Sequence, residues 1–324
     1  MTHAIRIAKH GGPEEMAWEN VVVPPPGPGE VQLRHTAVGL NYIDTYHRSG
    51  LYPLALPSGL GVEGAGVVLA VGDGVTEFKP GDRIAYAGGG AGSYAEVRNL
   101  PATLPVKIPE GVSDQQAAAM MLQGMTAQFL LRRTYKVQPG DTIVVHAAAG
   151  GVGLIMCQWA KHLGATVIGT VGSDAKAELA RANGCHHPIV YTRENFKDRV
   201  REITKGEGVP VVYDSIGRDT FMNSLDCLRP FGLMVSFGNA SGPTDPISPA
   251  ILGHKGSLYL TRPTLFTHIA KRPVLLEIAA DLFDVVKQGV VKISINQTYA
   301  LKDAAQAHRD LEARKTTGST VLLP

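Results

Sequence analysis

The chain has 324 residues, enough for about two domains and a substantial core. Its 31 Lys and Arg against 29 Asp and Glu leave a formal charge of +2 with no long run of one sign, which argues against nucleic acid as a primary partner. No charged-then-apolar leader opens the sequence, and no apolar run reaches the ~18 residues of a membrane span. Cys157, Cys185 and Cys227 lie far apart without Cys-x-x-Cys spacing, so they are expected as buried packing residues rather than a disulfide frame or zinc knuckle. The expectation is a cytoplasmic protein with no membrane partner.

Residues 1–120 are rich in Gly, Pro and Val and hold short extended runs such as 31–35 and 64–72, the texture of a β-rich domain. The run 24–29 (Pro-Pro-Pro-Gly-Pro-Gly) is a stiff loop, and 79–83 is a turn before a strand at 84–86.

A second texture follows. The run 141–145 (Asp-Thr-Ile-Val-Val) predicts a buried strand that turns at 146–153 (His-Ala-Ala-Ala-Gly-Gly-Val-Gly) into a helix begun by small residues. The first glycine of a dinucleotide fingerprint falls at Ala148, and the second and third at Gly150 and Gly153. Gly150 lets backbone approach a pyrophosphate, Gly153 lets helix lie tight on strand, and the free N–H groups of the helix start supply donors. The helix stops at Gly164, a second strand occupies 165–170, and helical and apolar runs alternate onward: helix 175–183, strand near 189–190, helix 195–204, strand 209–214, helix near 220–228, strand 233–237. That alternation predicts a doubly wound parallel sheet, a Rossmann domain of α/β class. His146 reads as a core histidine, and His186–His187, before Pro188, as turn residues.

An NADH site wants a carboxylate at the end of the second strand, about 20 residues past the glycines; a 2′-phosphate wants that acid absent and cations supplied. Here Gly172 and Ser173 follow the strand, with Lys176 close by and Tyr191 after the third strand. NADPH is therefore the expected cofactor, with Asp174 the one residue that keeps NADH open. Beyond the last strand, helices are expected at 273–287 and 304–314 and a strand at 319–323. A β-rich domain built from 1–123 and 265–324, with the dinucleotide domain 124–264 inserted, accounts for this order.

The phrases at 39–46 (Gly-Leu-Asn-Tyr-Ile-Asp-Thr-Tyr), 59–66 (Gly-Leu-Gly-Val-Glu-Gly-Ala-Gly), 75–83, 146–153, 213–217 (Tyr-Asp-Ser-Ile-Gly) and 236–239 (Ser-Phe-Gly-Asn) resemble the zinc-free quinone oxidoreductases, relatives of zeta-crystallin within the medium-chain dehydrogenase/reductase superfamily. The resemblance runs essentially end to end and implies a GroES-like fold for the β-rich catalytic domain. Zinc-dependent members carry a cysteine in the loop represented by 39–46 and a histidine in a Gly-His-Glu motif. This chain has Asn41 and Val62 there, neither of which can serve as thiolate or imidazole ligand, and no metal is expected. Without a Lewis acid, alcohol oxidation is disfavoured, and an acceptor such as a quinone is wanted.

The resemblance implies NADPH held across an interdomain cleft beside the quinone, orientation and desolvation supplying most of the catalysis. Asn41, Tyr46, Tyr52 and Arg262 are the expected catalytic residues; the aromatic rings can stack on a flat acceptor and the hydroxyls can meet the reduced oxygen. The expected cofactor contacts are Tyr42, Ile43, Asp44, Thr45 and Tyr46; Gly150, Gly151, Val152 and Gly153 at the pyrophosphate; Gly172, Ser173, Lys176 and Tyr191 at the 2′-phosphate; Ser215, Phe237, Gly238, Asn239 and Ala240 along the ribose and nicotinamide; and Arg314 on the adenine or phosphate side. The family also implies a homodimer, through the sheet edge at 258–261. Three alternatives stay open: an NADPH-dependent enone or alkenal reductase, a nucleotide-regulated RNA-binding protein, and a structural role of the lens-crystallin kind.

Overall fold

The computed structural model describes residues 2–324. The chain divides into two compact units, one of Met1–Met125, Ile269–Phe283 and Ile293–Pro324, the other of Thr126–His268 and Asp284–Lys292.

In the first unit, Glu30–Leu40 is the hub of a seven-stranded sheet. It pairs antiparallel with Glu63–Val71, with Val97–Pro101 and with the C-terminal strand Ser319–Leu323. Alternation drives the packing: Val31 and Leu33 from the hub meet Val68, Ile84 and Leu100, all fully buried, as period-two burial on one face requires. A second sheet orders Ala17–Val21, Thr2–Ile7 and Ser58–Gly59. The unit also carries helices that the β-rich texture of 1–120 did not announce, at Asp114–Ala118 and the start of Met121–Phe129. Ser113 caps the former, accepting the Gln116 N–H at 3.1 Å while Gln116 reaches back to the Ser113 N–H at 3.0 Å.

The second unit holds six strands, all parallel. Taken across the sheet they are His187–Val190, Thr166–Val171, Thr142–Val145, Val209–Asp214, Leu228–Ser236 and Tyr259–Thr261, the doubly wound order of a Rossmann domain. Central strands buried on both faces need unbroken apolar runs, which Ile143–Val145 and Val209–Val212 supply. The order reverses between Thr142–Val145 and Val209–Asp214, and the turns after those two strands carry Gly150–Gly153 and Ser215.

Three details correct the sequence reading. His187 and Pro188 belong to a strand rather than a turn; it lies at the sheet edge, where a residue without N–H is tolerated. The strand expected at 233–237 begins earlier, as Leu228–Ser236, and contains Phe231 with φ 62°. The late helix closes at Glu312, so Arg314 stands beyond it in the left-handed region with φ 59°. Among the described residues, no helix is long and apolar enough to cross a membrane.

Candidate active site

After Thr142–Val145 the chain turns through Ala147, at φ 52°, and Gly150 becomes the N-cap of the helix Gly151–His162. No side chain caps that helix, so the N–H groups of Gly151, Val152 and Gly153 present donors and the positive end of the helix dipole. Gly153 is the tight position: a Cβ there would run into the Ala147 carbonyl oxygen and lie 2.8 Å from the Ala148 Cα. Gly150 is looser, its only close neighbour the same carbonyl at 3.2 Å. Ala148 takes the first fingerprint position because Gly169 on the adjacent strand leaves room; a Cβ on Gly169 would sit 2.6 Å from that of Ala148. The turn fits a diphosphate.

At the end of Thr166–Val171, a Cβ on Gly172 would lie 2.9 Å from the Tyr191 hydroxyl, so the tyrosine ring closes over the glycine. Ser173 caps the helix Asp174–Ala182, its Oγ accepting the Lys176 N–H at 3.4 Å. Asp174 pairs with Arg193 at 2.6 Å, and the guanidinium holds its carboxyl below the usual range. Sequence reasoning passed over Arg193; the signal was a cation two residues past Tyr191. An exposed, hydroxyl- and cation-bearing rim of this kind suits a phosphate on the ribose rather than a bare 2′-hydroxyl.

Asp214 organises the third turn. Its Oδ1 accepts the N–H of Ile216 at 2.7 Å and of Gly217 at 3.1 Å, and its Oδ2 accepts the hydroxyls of Thr220 at 2.7 Å and Ser224 at 3.1 Å. Phe237 N–H bonds the Asp214 carbonyl and Ala240 N–H the Ser215 carbonyl, while Gly238 packs so close that a Cβ would lie 2.9 Å from the Ser215 Cα. Ser215 and Phe237–Ala240 are thereby brought together, and Arg262 joins them by donating to the Ser236 carbonyl at 3.1 Å. His146 is a core residue, bonded to Thr170 and Ser224, and burial lowers its pKa.

In the other unit, Asn41 leads into the helix Tyr42–Ser49. Its amide nitrogen donates to Glu63 Oε2 at 2.6 Å, and its oxygen accepts from Gln123 at 3.0 Å. Glu63 is wholly buried, its Oε1 accepts the Leu122 N–H at 2.7 Å, and burial pushes its pKa up to about 8. Asp44, also wholly buried and pushed up by burial to about 7, accepts the Asn41 N–H and the Tyr94 hydroxyl through Oδ2, both at 2.9 Å. Thr45 turns inward to the Tyr42 carbonyl at 2.7 Å. Tyr46 is buried between Tyr42 and Tyr52, with ring centroids 6.0 and 5.0 Å away.

Behind Asp44 runs a directed chain. Arg48 can only donate, so His308 Nδ1 accepts from it at 2.9 Å; the imidazole proton sits on Nε2 and donates to the Tyr94 oxygen at 3.0 Å. Burial, aided by Arg48, takes His308 down to about 3 and keeps it neutral. Arg48 also pairs with Glu312 at 2.7 Å. Glu63, Tyr94, Gln123 and His308 were all missed from sequence, although a lone Glu amid Gly, Val and Ala at 62–66 was a usable signal. Arg314 lies in this unit, while Ser173, Lys176 and Tyr191 lie in the other.

Among the described residues, no three His, Cys, Asp or Glu side chains gather as a metal site. Residues 27–110 match the alcohol dehydrogenase GroES-like domain family, and 151–270 match the family described as zinc-binding dehydrogenase. A quinone oxidoreductase of Pseudomonas aeruginosa is 54% identical with all of both chains covered, and a 2-haloacrylate reductase of a Burkholderia species is 50% identical over all of this chain and 99% of its own. The crystal structure of the Escherichia coli quinone oxidoreductase complexed with NADPH superposes with a TM-score of 0.98 at 49% identity, covering 99% of this chain and 100% of that one. The chain belongs to the quinone oxidoreductases of the medium-chain dehydrogenase/reductase superfamily.

Proposed function

We propose that this protein reduces quinones with NADPH and without a metal. The observation that carries the reading is the full-length likeness to a quinone oxidoreductase at 54% identity. Once bound, NADPH supplies a hydride. The N–H groups of Gly151, Val152 and Gly153 hold its diphosphate; Ser173, Lys176 and Tyr191, with Gly172 beneath, hold the 2′-phosphate; Ser215 and Phe237–Ala240 line the ribose and nicotinamide; Arg314 serves the adenine or phosphate side. Tyr42–Tyr46 supply the remaining cofactor contacts, Asp44 by fixing the Asn41 backbone. Asn41 orients the reacting ring, Tyr46 and Tyr52 offer aromatic faces and hydroxyls to the quinone, and Arg262 offers a donor to its oxygen.

The metal-free reading rests on donor chemistry: an amide at 41, already committed to Glu63 and Gln123, and a valine at 62 are not zinc ligands. Three free, buried cysteines suit the reducing cytoplasm. The exposed edge strand Tyr259–Thr261, with Tyr259 60% and nearby Phe231 69% exposed, offers two copies a pairing edge for a homodimer; sedimentation as a monomer at micromolar concentration would remove that assignment.

A second reading, reduction of activated alkenes, is favoured by the 2-haloacrylate reductase at 50% identity. Chelator-treated protein assayed with NADPH and NADH against naphthoquinones, haloacrylates and alkenals separates the two. Quinone turnover with NADPH, undiminished by chelation, is expected; turnover of alkenes alone, or turnover restored only by added zinc, overturns the proposal.

A further inference from the structure

Glu63 has no salt bridge among the described residues, although it is wholly enclosed. Facing it are the Asn41 amide, the backbone N–H groups of Met121 and Leu122, the Asp44 carboxyl, and the Tyr86 and Tyr94 phenols; Gly39 packs against its carboxyl so closely that no Cβ fits. The charges behind those groups are spoken for: Arg98 lies on Tyr86 and Ser93, with His35 on Tyr86 and the Ala95 carbonyl, and Arg48 lies on His308 and Glu312.

From Glu63 a single file of side chains leads away. Asn41 is 2.6 Å from Glu63 Oε2, Gln123 is 3.0 Å from Asn41, Ser319 is 2.7 Å from Gln123, and Ser319 Oγ is also 3.0 Å from the Ala119 carbonyl. All four side chains are buried. We propose that Glu63 is a positioning residue whose proton sets which way the side-chain amides of Asn41 and Gln123 face.

The reason is that this file is satisfied in two senses and no others. With Glu63 ionised, Ser319 donates to the Gln123 oxygen, the Gln123 nitrogen to the Asn41 oxygen, and the Asn41 nitrogen to the carboxylate. With Glu63 protonated on Oε2, the carboxyl donates to the Asn41 oxygen, the Asn41 nitrogen to the Gln123 oxygen, the Gln123 nitrogen to Ser319, and Ser319 to the Ala119 carbonyl. Both amides rotate by half a turn between the two, and no distance changes. A mixed arrangement would face nitrogen with nitrogen or oxygen with oxygen in a buried place, which costs a lost hydrogen bond plus an unsatisfied group. The Leu122 N–H meets Oε1 in either sense, so Glu63→Gln has its orientation imposed: the amide oxygen stays on Leu122, and the nitrogen occupies the Oε2 place and donates to Asn41. That variant is locked in the protonated sense.

The consequence for turnover rests on the reading of Asn41 as the residue that orients the reacting ring. Reversal exchanges an N–H donor for a carbonyl oxygen at its tip. With burial pushing Glu63 to about 8, the exchange falls inside the pH range of the titration below.

The test follows the side-chain amide ¹H–¹⁵N resonances of Asn41 and Gln123 in the full-length protein from pH 6 to 9.5, alongside kcat with NADPH and a naphthoquinone. The expected result is that both amides move together with one midpoint near 8 and that neither moves in Glu63→Gln. A wild-type protein whose two amides stay still or titrate separately overturns the proposal without recourse to any variant, as does a Glu63→Gln protein that titrates like the wild type. In kcat, a step of about twofold to tenfold at the same midpoint, absent from the variant, corresponds to one hydrogen bond gained or lost at the ring. Coupled reversal of the amides with no step in kcat supports the proposal for Glu63 and overturns the placement of Asn41.

Discussion

Arg193 holds the carboxylate of Asp174 at 2.6 Å, at the first residue of the helix that Ser173 caps. The one acid near the end of the second strand is thereby engaged by a cation instead of being offered to a ribose hydroxyl. Replacement of Arg193 by Ala is expected to release Asp174 and lower the preference for NADPH over NADH, read as the ratio of kcat/KM for the two cofactors. An unchanged ratio would remove Arg193 from cofactor choice.

Lys176→Ala tests the proposed contact with the 2′-phosphate. Loss of one charge-assisted contact is expected to weaken NADPH by about 1–3 kcal/mol while leaving NADH nearly as it was. Fluorescence titration with both cofactors decides it, and equal losses contradict the assignment.

Gly153→Ala addresses the turn proposed to hold the diphosphate. The added methyl meets the Ala147 carbonyl and must push helix from strand, moving the donors of Gly151 and Val152. A stability loss of about 1–3 kcal/mol is expected, together with NADPH binding weakened by about tenfold or more. Gly150→Ala, with a single neighbour at 3.2 Å, is the milder control in thermal melts and titrations.

The contribution of Glu63 and Asp44 to stability should fall as pH rises, opposite in sign to that of the buried neutral His35 and His308, which grows as pH rises to about 6.5. Below about pH 4 each carboxyl is protonated whether the chain is folded or not. Above that the unfolded chain ionises freely while the fold resists, up to about 7 for Asp44 and about 8 for Glu63, so their support is lost across that interval and is gone above it. Glu63→Gln removes the larger share; its melting temperature relative to the wild type should climb from pH 5 through 6.5 to 8, with a gain of about 1–3 kcal/mol at pH 8. Parallel curves would refute the assignment.

Tyr94→Phe leaves His308 Nε2–H without its acceptor and Asp44 Oδ2 with the Asn41 N–H alone. A buried donor stranded in this way is expected to cost about 1–3 kcal/mol, seen as a lower urea midpoint at unchanged slope. An unmoved midpoint would mean that the chain from Arg48 to Asp44 carries no stability.

The parts of this protein legible in its sequence are those governed by neighbours along the chain. The strand 141–145, the turn at 146–153 and the apolar run 165–170 announce themselves because burial on both faces and tight glycine packing leave local marks. Pro188 misled because its tolerance depends on the strand's place at the sheet edge, which no local pattern records. The Asn41 surroundings were half legible: the loop 39–46 was singled out, whereas Glu63, Gln123 and Ser319 come from 22, 82 and 278 residues away, the first two separations being those of their bonds to Asn41. Nothing but tertiary folding assembles such a file, and a glutamine or serine taken singly reads as a surface residue.

The helix Met121–Phe129 starts in one compact unit and finishes in the other, with the division falling between Met125 and Thr126. Anyone wishing to excise the nucleotide-type half for recombinant work must therefore saw through a spiral mid-turn. The stump left at its front is far below the ~12–15 residues at which an isolated helix holds itself in water. A cloning boundary drawn upstream of Ser113, whose cap begins the preceding helix, keeps that spiral whole and is the better first choice for a truncated expression product.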